Sequence, residues 1–397
     1  MDSPGVDVVV AGAGPAGSMA ARMLARAGLR VVLCDKATFP RDKTCGDALI
    51  PDSIAALRFA GAWDGVAERA RALDLLEVLS PRGIAVPIRG EYRVVRRRVF
   101  DEVLFNGALQ AGAEFRQASV KRPIEDPAGH VAGIVVERSG REEEIRAPLT
   151  VLATGAEGAI LKKFDASART TASGYAIRTY AVHASPGRAS DRLFISLERD
   201  LLPGYAWAFP GPENIFNIGV FWASARRGRR LNLRAALDRL MSGNGNLGEM
   251  LGPMKPTSLG DGYAGAMLRT GLTGSSLGRR GLAIIGDAAG TTYSISGEGI
   301  GKAMESGLVV AELAVGSRDL PQVGCLYKAE MQQRYARRFR AYRSAERWMR
   351  LSILADLVAY RANRSPTILR HLTSVVTEDS LSGDVFSLKG FWALLTR

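Results

Sequence analysis

The chain has 397 residues, 47% of them hydrophobic, with a formal charge of +13. At roughly 100–200 residues per domain, that length fits two domains and a further segment. The composition excludes collagenous, fibrous and disordered classes, and the basic excess points to an anionic ligand, an anionic lipid surface or nucleic acid.

Much of the excess is local. Residues 334–350 carry Arg334, Arg337, Arg338, Arg340, Arg343, Arg347 and Arg350 against Glu346, and Arg226, Arg227, Arg229 and Arg230 form a second cluster. No nucleic-acid-binding module accompanies either run, so nucleic acid is not an expected partner. Cys34, Cys45 and Cys325 are too few for a disulfide framework, and His130, His183 and His371 stand apart, so no metal site is expected. There is no signal-peptide pattern, and no apolar run of the ~18–20 residues needed to cross a bilayer. A cytoplasmic protein is expected, with peripheral contact to a membrane as a further option.

Residues 7–10 read as a β-branched strand, residues up to Ala27 as a helix stopped by Gly28, and 29–33 as a second strand closed by Asp35. A charged loop over 36–51 leads to helices up to about Arg71. Residues 93–111 hold a short strand and a helix; 133–138 and 149–153 read as strands. Between 173 and 223 the stretches YAIRTYAVHA, RLFISLE, YAWAFP and IFNIGVFWAS alternate or are aromatic and β-branched, which predicts antiparallel sheet. Helices are expected over 231–241 and 299–315, a buried strand over 281–285, and helix throughout after Leu320. The predicted fold is α/β: a Rossmann-like domain (1–75, 93–165 and 270–320), an interleaved α+β antiparallel-sheet domain for the substrate (76–92 and 166–269), and a helical C-terminal region (321–397).

Gly12, Gly14, Ala16 and Gly17 form a GxGxxG turn between the first strand and helix, and Asp35 ends the second strand. Gly12 permits the tight turn, Gly14 lets a diphosphate approach the backbone, and Gly17 lets helix and strand pack closely. The helix N-terminus presents free N–H groups to phosphate, and the acid suits a ribose diol. A second GxGxxG at 243–248 follows a helix and is expected to be a loop without phosphate. A GxSxG at 274–278 precedes a strand rather than a helix, which excludes a nucleophile elbow. Far downstream, Asp287 ends a buried strand in GDAAG, and Gly297, Gly299 and Ile300 open a helix. A strand-end carboxylate for a ribityl chain and a helix N-terminus for a reduced pyrimidine ring make FAD the expected dinucleotide.

This pairing resembles the FAD-dependent group that holds aromatic hydroxylases, flavin halogenases and geranylgeranyl reductases. Three stretches are similar to the last family: Lys43–Asp47 (KTCGD) after the first βαβ unit, the YxWxFP of Tyr205, Trp207 and Phe209, and Arg97 ahead of Phe100-Asp101. The resemblance implies that Cys45 and Gly46 line the flavin, that Arg97 lies near its ribityl chain or phosphates, and that Val120 lies near the adenine. It also implies that Tyr205, Trp207 and Phe209, which share one strand face, look at the substrate; an aromatic core stripe is the alternative. The sequence departs from the family where Ser294 replaces a proline and Thr154 an acid.

The implied chemistry is reduction of a carbon–carbon double bond in a prenyl lipid or another apolar small molecule, with Cys45 as the candidate acid. An FAD-dependent monooxygenase on the same fold is the rival, and a flavin halogenase fits less well. No second dinucleotide turn serves a nicotinamide, so NAD(P)H acts as a transient reductant or a ferredoxin-type protein delivers electrons.

Overall fold

The computed structural model describes residues 5–169, 171–183, 187–223, 231–259 and 262–378; the basic cluster from Arg226 to Arg230 lies outside them. The chain starts β1 (Val8–Ala11), α1 (Pro15–Arg26), β2 (Val31–Asp35), a two-residue β3 (Ala48–Leu49), α2 (Pro51–Phe59) and α3 (Trp63–Ala67). A hairpin of β4 (Arg71–Leu79) and β5 (Ala85–Val94) follows. Then come α4 (Arg97–Gln110), β6 (Glu114–Gln117), the meander β7 (Ser119–Glu125), β8 (Val131–Arg138) and β9 (Arg141–Arg146), β10 (Leu149–Leu152) and α5 (Gly158–Lys163). Next are β11 (Gly174–His183), β12 (Leu193–Ser196), β13 (Tyr205–Pro210), β14 (Ile215–Ala223), α6 (Leu233–Met241), α7 (Gly245–Leu251), β15 (Met254–Pro256) and β16 (Ala264–Leu268). The chain closes with β17 (Gly278–Arg279), β18 (Leu282–Ile284), α8 (Ile300–Val315), α9 (Val323–Met349), α10 (Ser352–Ala362) and α11 (Pro366–Thr377).

A six-stranded sheet runs in the order β17-β18-β10-β1-β2-β6, parallel except for its β17 edge. Each residue of β1, β10 and β18 is buried, as expected of a parallel sheet covered on both faces. A nine-stranded sheet has the order β15-β11-β14-β13-β12-β4-β5-β3, with β16 on β11, and β7, β8 and β9 form a third sheet. The large sheet takes in β3 at Ala48–Leu49 and the whole β4–β5 hairpin from Arg71 to Val94, more than the 76–92 segment expected from sequence. Charged residues along both strands hid that hairpin.

One face of the large sheet packs on α6 and α7 through Phe216, Ile218, Val220, Leu237 and Leu247. The other face carries Tyr205, Trp207, Phe209 and Phe221, together with Ala359, Ala362 and Ile368 from α10 and α11. Helices α10 and α11 reach this face at its β5 end.

Two expectations are corrected. Residues 243–248 are not a plain loop: 245–251 form α7, whose first turn is tied down because Leu247 N–H donates to Glu198 (3.1 Å). The basic run is not one interfacial face either. Phe339 and Tyr342 are 1% exposed and pack on Tyr293, the two tyrosine rings stacking at 4.1 Å. Arg343 donates to the Gly271 carbonyl, and Arg338 approaches Glu378. Arg337, Arg340, Arg347 and Arg350 stay exposed. Among the described residues, no helix is long and apolar enough to cross a membrane.

Candidate functional site

The turn after β1 is set by glycine. Gly12 has φ +110°, and a Cβ there would run into the Ala153 carbonyl; one on Gly17 would run into the Gly12 carbonyl. The N–H of Gly12 donates to Cys34 O (2.7 Å). Ala13 N–H donates to Asp35 Oδ2 (2.8 Å), and Ala37 N–H to Asp35 Oδ1 (2.9 Å). Asp35 thus braces the turn from both sides while keeping lone pairs for a diol. Gly14 caps α1 with no side-chain hydrogen bond, so the first-turn donors are open, and a Cβ on Gly14 would lie 3.6 Å from Arg41 Nη2. Uncapped donors, a bare Cα and a cation form a set that fits a diphosphate. Val120 sits half-buried on β7, two residues beyond Ala118, whose N–H bonds the Asp35 carbonyl (2.9 Å).

The two distant motifs meet. Gly286 has φ +60°, and a Cβ on it would lie 2.9 Å from Ala16 Cβ. The Ser306 hydroxyl accepts from Gly286 N–H (2.9 Å), locking the turn to α8. Asp287 Oδ1 accepts from Thr292 Oγ1 (2.7 Å). Gly299 caps α8 with the Thr292 hydroxyl against its Cα, and Gly297 (φ +64°) leaves room for the Tyr205 hydroxyl. That hydroxyl donates to the Ser296 carbonyl (2.6 Å). Ile300 starts α8 and packs with Met19, Leu49 and Met304. Glu298 Oε1 takes the Gly301 N–H (2.7 Å) and the Ser53 hydroxyl (3.1 Å), so one first-turn donor is already occupied. Burial, with Asp52 nearby, holds the Glu298 carboxyl well above the usual carboxylate range. Ser294, in the place of the family's proline, is 4% exposed, and its hydroxyl has no hydrogen-bond partner among the described residues.

The Cys45–Asp47 loop joins the large sheet to α4. Asn217 Nδ2 donates to the Cys45 carbonyl and to Asp47 Oδ2, each at 2.7 Å. Tyr180 OH donates to the same Oδ2 (2.6 Å), and Arg97 N–H to Oδ1 (3.2 Å). Burial raises the Asp47 pKa, and these donors pull it back in part. Asp47 is held at φ +66°, a conformation acidic and amide side chains tolerate. A Cβ on Gly46 would lie 3.1 Å from the Phe209 ring and 3.4 Å from Trp207 Nε1. Trp207 Nε1 donates to Asn217 Oδ1 (3.0 Å). Burial also raises the Cys45 thiol pKa, offset in part by Arg97, so the sulfur is held as a neutral thiol.

Arg97 is 8% exposed and spends its fork on Asp101, at 2.6 and 2.7 Å. Arg41 bridges from Asp101 (3.1 Å) to the glycine turn. The cation nearest the turn is therefore Arg41, which the sequence reading missed. Tyr205, Trp207 and Phe209 are 9%, 5% and 8% exposed, their rings 6.2 and 6.4 Å apart in sequence order, packed between the Cys45 loop and the loop before α8. Asp47, Tyr180, Asn217 and Arg178 were also missed. The signal for Asn217 was a lone polar residue in the otherwise apolar β14; Arg178 shares β11 with Thr179 and His183 and gave no such signal.

Residues 5–195 match the FAD binding domain family. The chain is 32% identical to the menaquinone reductase of Mycolicibacterium smegmatis, over 96% of this chain and 91% of that protein. It is 29% identical to digeranylgeranylglycerophospholipid reductase 1 of Methanopyrus kandleri, over 84% of this chain and 87% of that protein. A geranylgeranyl bacteriochlorophyll reductase-like structure from Thermoplasma acidophilum superposes with a TM-score of 0.76 over 98% of this chain and 95% of that one; at 22% identity it establishes the fold. An FAD-binding turn, a second motif meeting it at Gly286, and full-length relatives that are reductases place the chain as an FAD-dependent oxidoreductase belonging to the geranylgeranyl reductase family.

Proposed function

We propose that the protein adds hydrogen across a carbon–carbon double bond of a prenyl chain, on a quinone or a lipid. The observation that carries this reading is the Cys45–Asp47 loop, fastened by Asn217 to the aromatic strand β13–β14 pair and by Arg97 N–H to α4. A loop held by the large sheet and by α4 fixes one geometry between cofactor and substrate. Two relatives act on such substrates by name, a menaquinone reductase and a digeranylgeranylglycerophospholipid reductase.

Gly12, Gly14, Ala16, Gly17 and Asp35 would hold the ADP half of FAD, with Arg41 at the diphosphate and Val120 by the adenine. Asp287, Gly297, Gly299 and Ile300 would hold the ribityl and pyrimidine end, and Cys45 and Gly46 would line the ring. Arg97 acts through Asp101 and the Asp47 backbone contact rather than on phosphate. Bound FAD, once reduced, supplies a hydride to one alkene carbon. Tyr205, Trp207 and Phe209 give the chain an apolar wall that excludes water. Cys45, kept as a thiol by burial, holds the proton for the other carbon. In this reading 1–75, 93–165 and 270–320 form the FAD domain, 76–92 and 166–269 the substrate domain, and 321–397 the C-terminal region, helical as far as Thr377, with 379–397 outside the described residues. The reductant is NAD(P)H or a ferredoxin-type protein.

The lipid is collected at a membrane surface, through exposed Arg347 and Arg350 beside Leu351 (54% exposed) and Ile353 (73%). The test of the reaction is direct. The holoenzyme is reduced without oxygen and given prenyl quinones and prenyl lipids, and products are weighed. Addition of two hydrogens per bond is expected. Gain of an oxygen atom only after air is admitted would replace the reductase reading with the monooxygenase one.

A further inference from the structure

Arg178 is among the largest fully buried side chains, at 1% exposure. It stands on β11 in register with Gly219 of β14, which is in register with Trp207 of β13. Gly219 puts no side chain between them, and the Trp207 indole lies over its Cα. The guanidinium carbon is 4.4 Å from the centre of the Tyr180 ring, so one face is stacked. Two of its three nitrogens are idle: Nε and Nη1 have no hydrogen-bond partner among the described residues. Asp47 is close enough for its carboxylate to feel the charge. Both of its oxygens, however, are taken by Tyr180, Asn217 and the Arg97 N–H.

A buried cation with idle donors is costly to keep. A purely supporting cation would have closed on Asp47 in a bidentate pair, as Arg97 does on Asp101. The stacked face fixes the plane of the guanidinium and leaves a fork of N–H groups beside the aromatic row. The turn at Gly14 already has its own arginine, Arg41, and Arg178 lies on the sheet that carries Tyr205, Trp207 and Phe209.

We propose that Arg178 is a head-group site: it receives a negatively polarised oxygen, quinone carbonyl or phosphate, carried by an otherwise apolar substrate. This rests on the reading that the aromatic face receives that substrate. It makes the ligand of this face a prenyl chain with an oxygen-bearing end, not a bare hydrocarbon, and registers the chain along the aromatic row from that end.

The test uses the oxidised holoenzyme and its Arg178→Met and Arg178→Lys variants. Binding is read from the flavin absorbance during titration with a prenylated naphthoquinone, a prenyl diphosphate and a prenyl hydrocarbon of equal chain length. The native protein binds at least one oxygenated probe more tightly than the hydrocarbon. R178M weakens that probe by about 10- to 100-fold, the range for a hydrogen bond to a charged group, and leaves the hydrocarbon unchanged. R178K, with charge but no fork, falls between. The probe that shows the loss identifies the source of the oxygen as quinone or phosphate. Equal weakening of all three probes, no weakening of any, or loss of flavin from a folded R178M overturns the proposal. The titration needs no turnover, so arginine-dependent binding without alkene reduction would keep this site and remove the reductase reading.

Discussion

On the proposed reading, Gly14 is where a single side chain decides cofactor binding. Its Cα borders the open first-turn donors of α1 and faces Arg41, so a valine would stand where that reading puts the diphosphate. Gly14→Val is expected to purify folded and nearly colourless; full flavin absorbance per chain would refute the placement. Cys45 is a different case, since its carbonyl rather than its sulfur anchors the loop. Cys45→Ala should keep FAD and lower alkene reduction by about 100-fold, the lower end for loss of a proton donor. Unchanged turnover with an unchanged product would make the thiol a wall residue. The glycines and Cys45 were legible in sequence because each sits in a spaced motif. Asp47, Asn217 and Arg178 were not, because their partners lie across the fold: Asn217 reaches Asp47 only once β14 is seated beside β13 and under the loop.

At the scale of elements, the loop and the two central strands act as one unit. The Asn217 amide accepts from Trp207 and donates to Cys45 and Asp47. Asn217→Leu would leave the Cys45 carbonyl and the Trp207 N–H without this partner and take one of three donors from the buried Asp47 carboxylate. The expected cost is about 2–3 kcal/mol, seen as a lower midpoint in urea, with flavin that is held but more easily washed out. A variant with native stability and tight flavin would mean that the loop is fixed elsewhere. Element type and order were readable for the parallel sheet because β1 and β18 are short apolar runs with glycine close by at both ends, and β10 is a short run broken only by Thr150. The hairpin β4–β5 was obscured because Arg71, Asp74, Arg89 and Glu91 dilute its alternation, and its inward positions become apolar only against α10 and α11.

At the scale of the molecule, a buried ion cluster ties the far end of the described chain to α8. Lys302 Nζ lies 3.1 Å from Asp52, 2.6 Å from Glu305 and 3.3 Å from Glu378. Burial pushes the Glu378 carboxyl up to about 7, against the pull of Lys302. The folded state therefore keeps a proton that the unfolded chain releases near its ordinary value of 4.5. The sign follows: this group's stabilising contribution is complete below that value, is lost as pH rises to about 7, and is flat above. Glu378→Gln should flatten the fall in Tm between about pH 5 and about pH 8; a variant that tracks the native curve would rule this group out. The surface around Arg347, Arg350, Leu351 and Ile353 gives the other whole-molecule expectation. Liposomes with anionic lipid should co-sediment the protein, and salt should release it, at about 1 kcal/mol per arginine near the surface. Sedimentation indifferent to both lipid charge and salt would remove the membrane reading.

The path of the chain through the six-stranded sheet has a consequence for how the protein comes to exist. Val8 lies beside Leu149, and Thr150 beside Leu282, so β1 waits for β10 across the β4–β5 hairpin and the β7–β9 meander, and β10 waits for β18 until most of the chain has been made. During synthesis β1 and β2 stand as an apolar parallel pair while the hairpin emerges, and β11 to β16 of the large sheet emerge between β10 and β18. Pairing this distant in sequence folds slowly and exposes strand edges while it waits. A cut between β10 and β18 would leave the facing edges of both strands open until the two halves met, and recovery of active protein should respond to chaperone supply and lower temperature more than to any tag at either end.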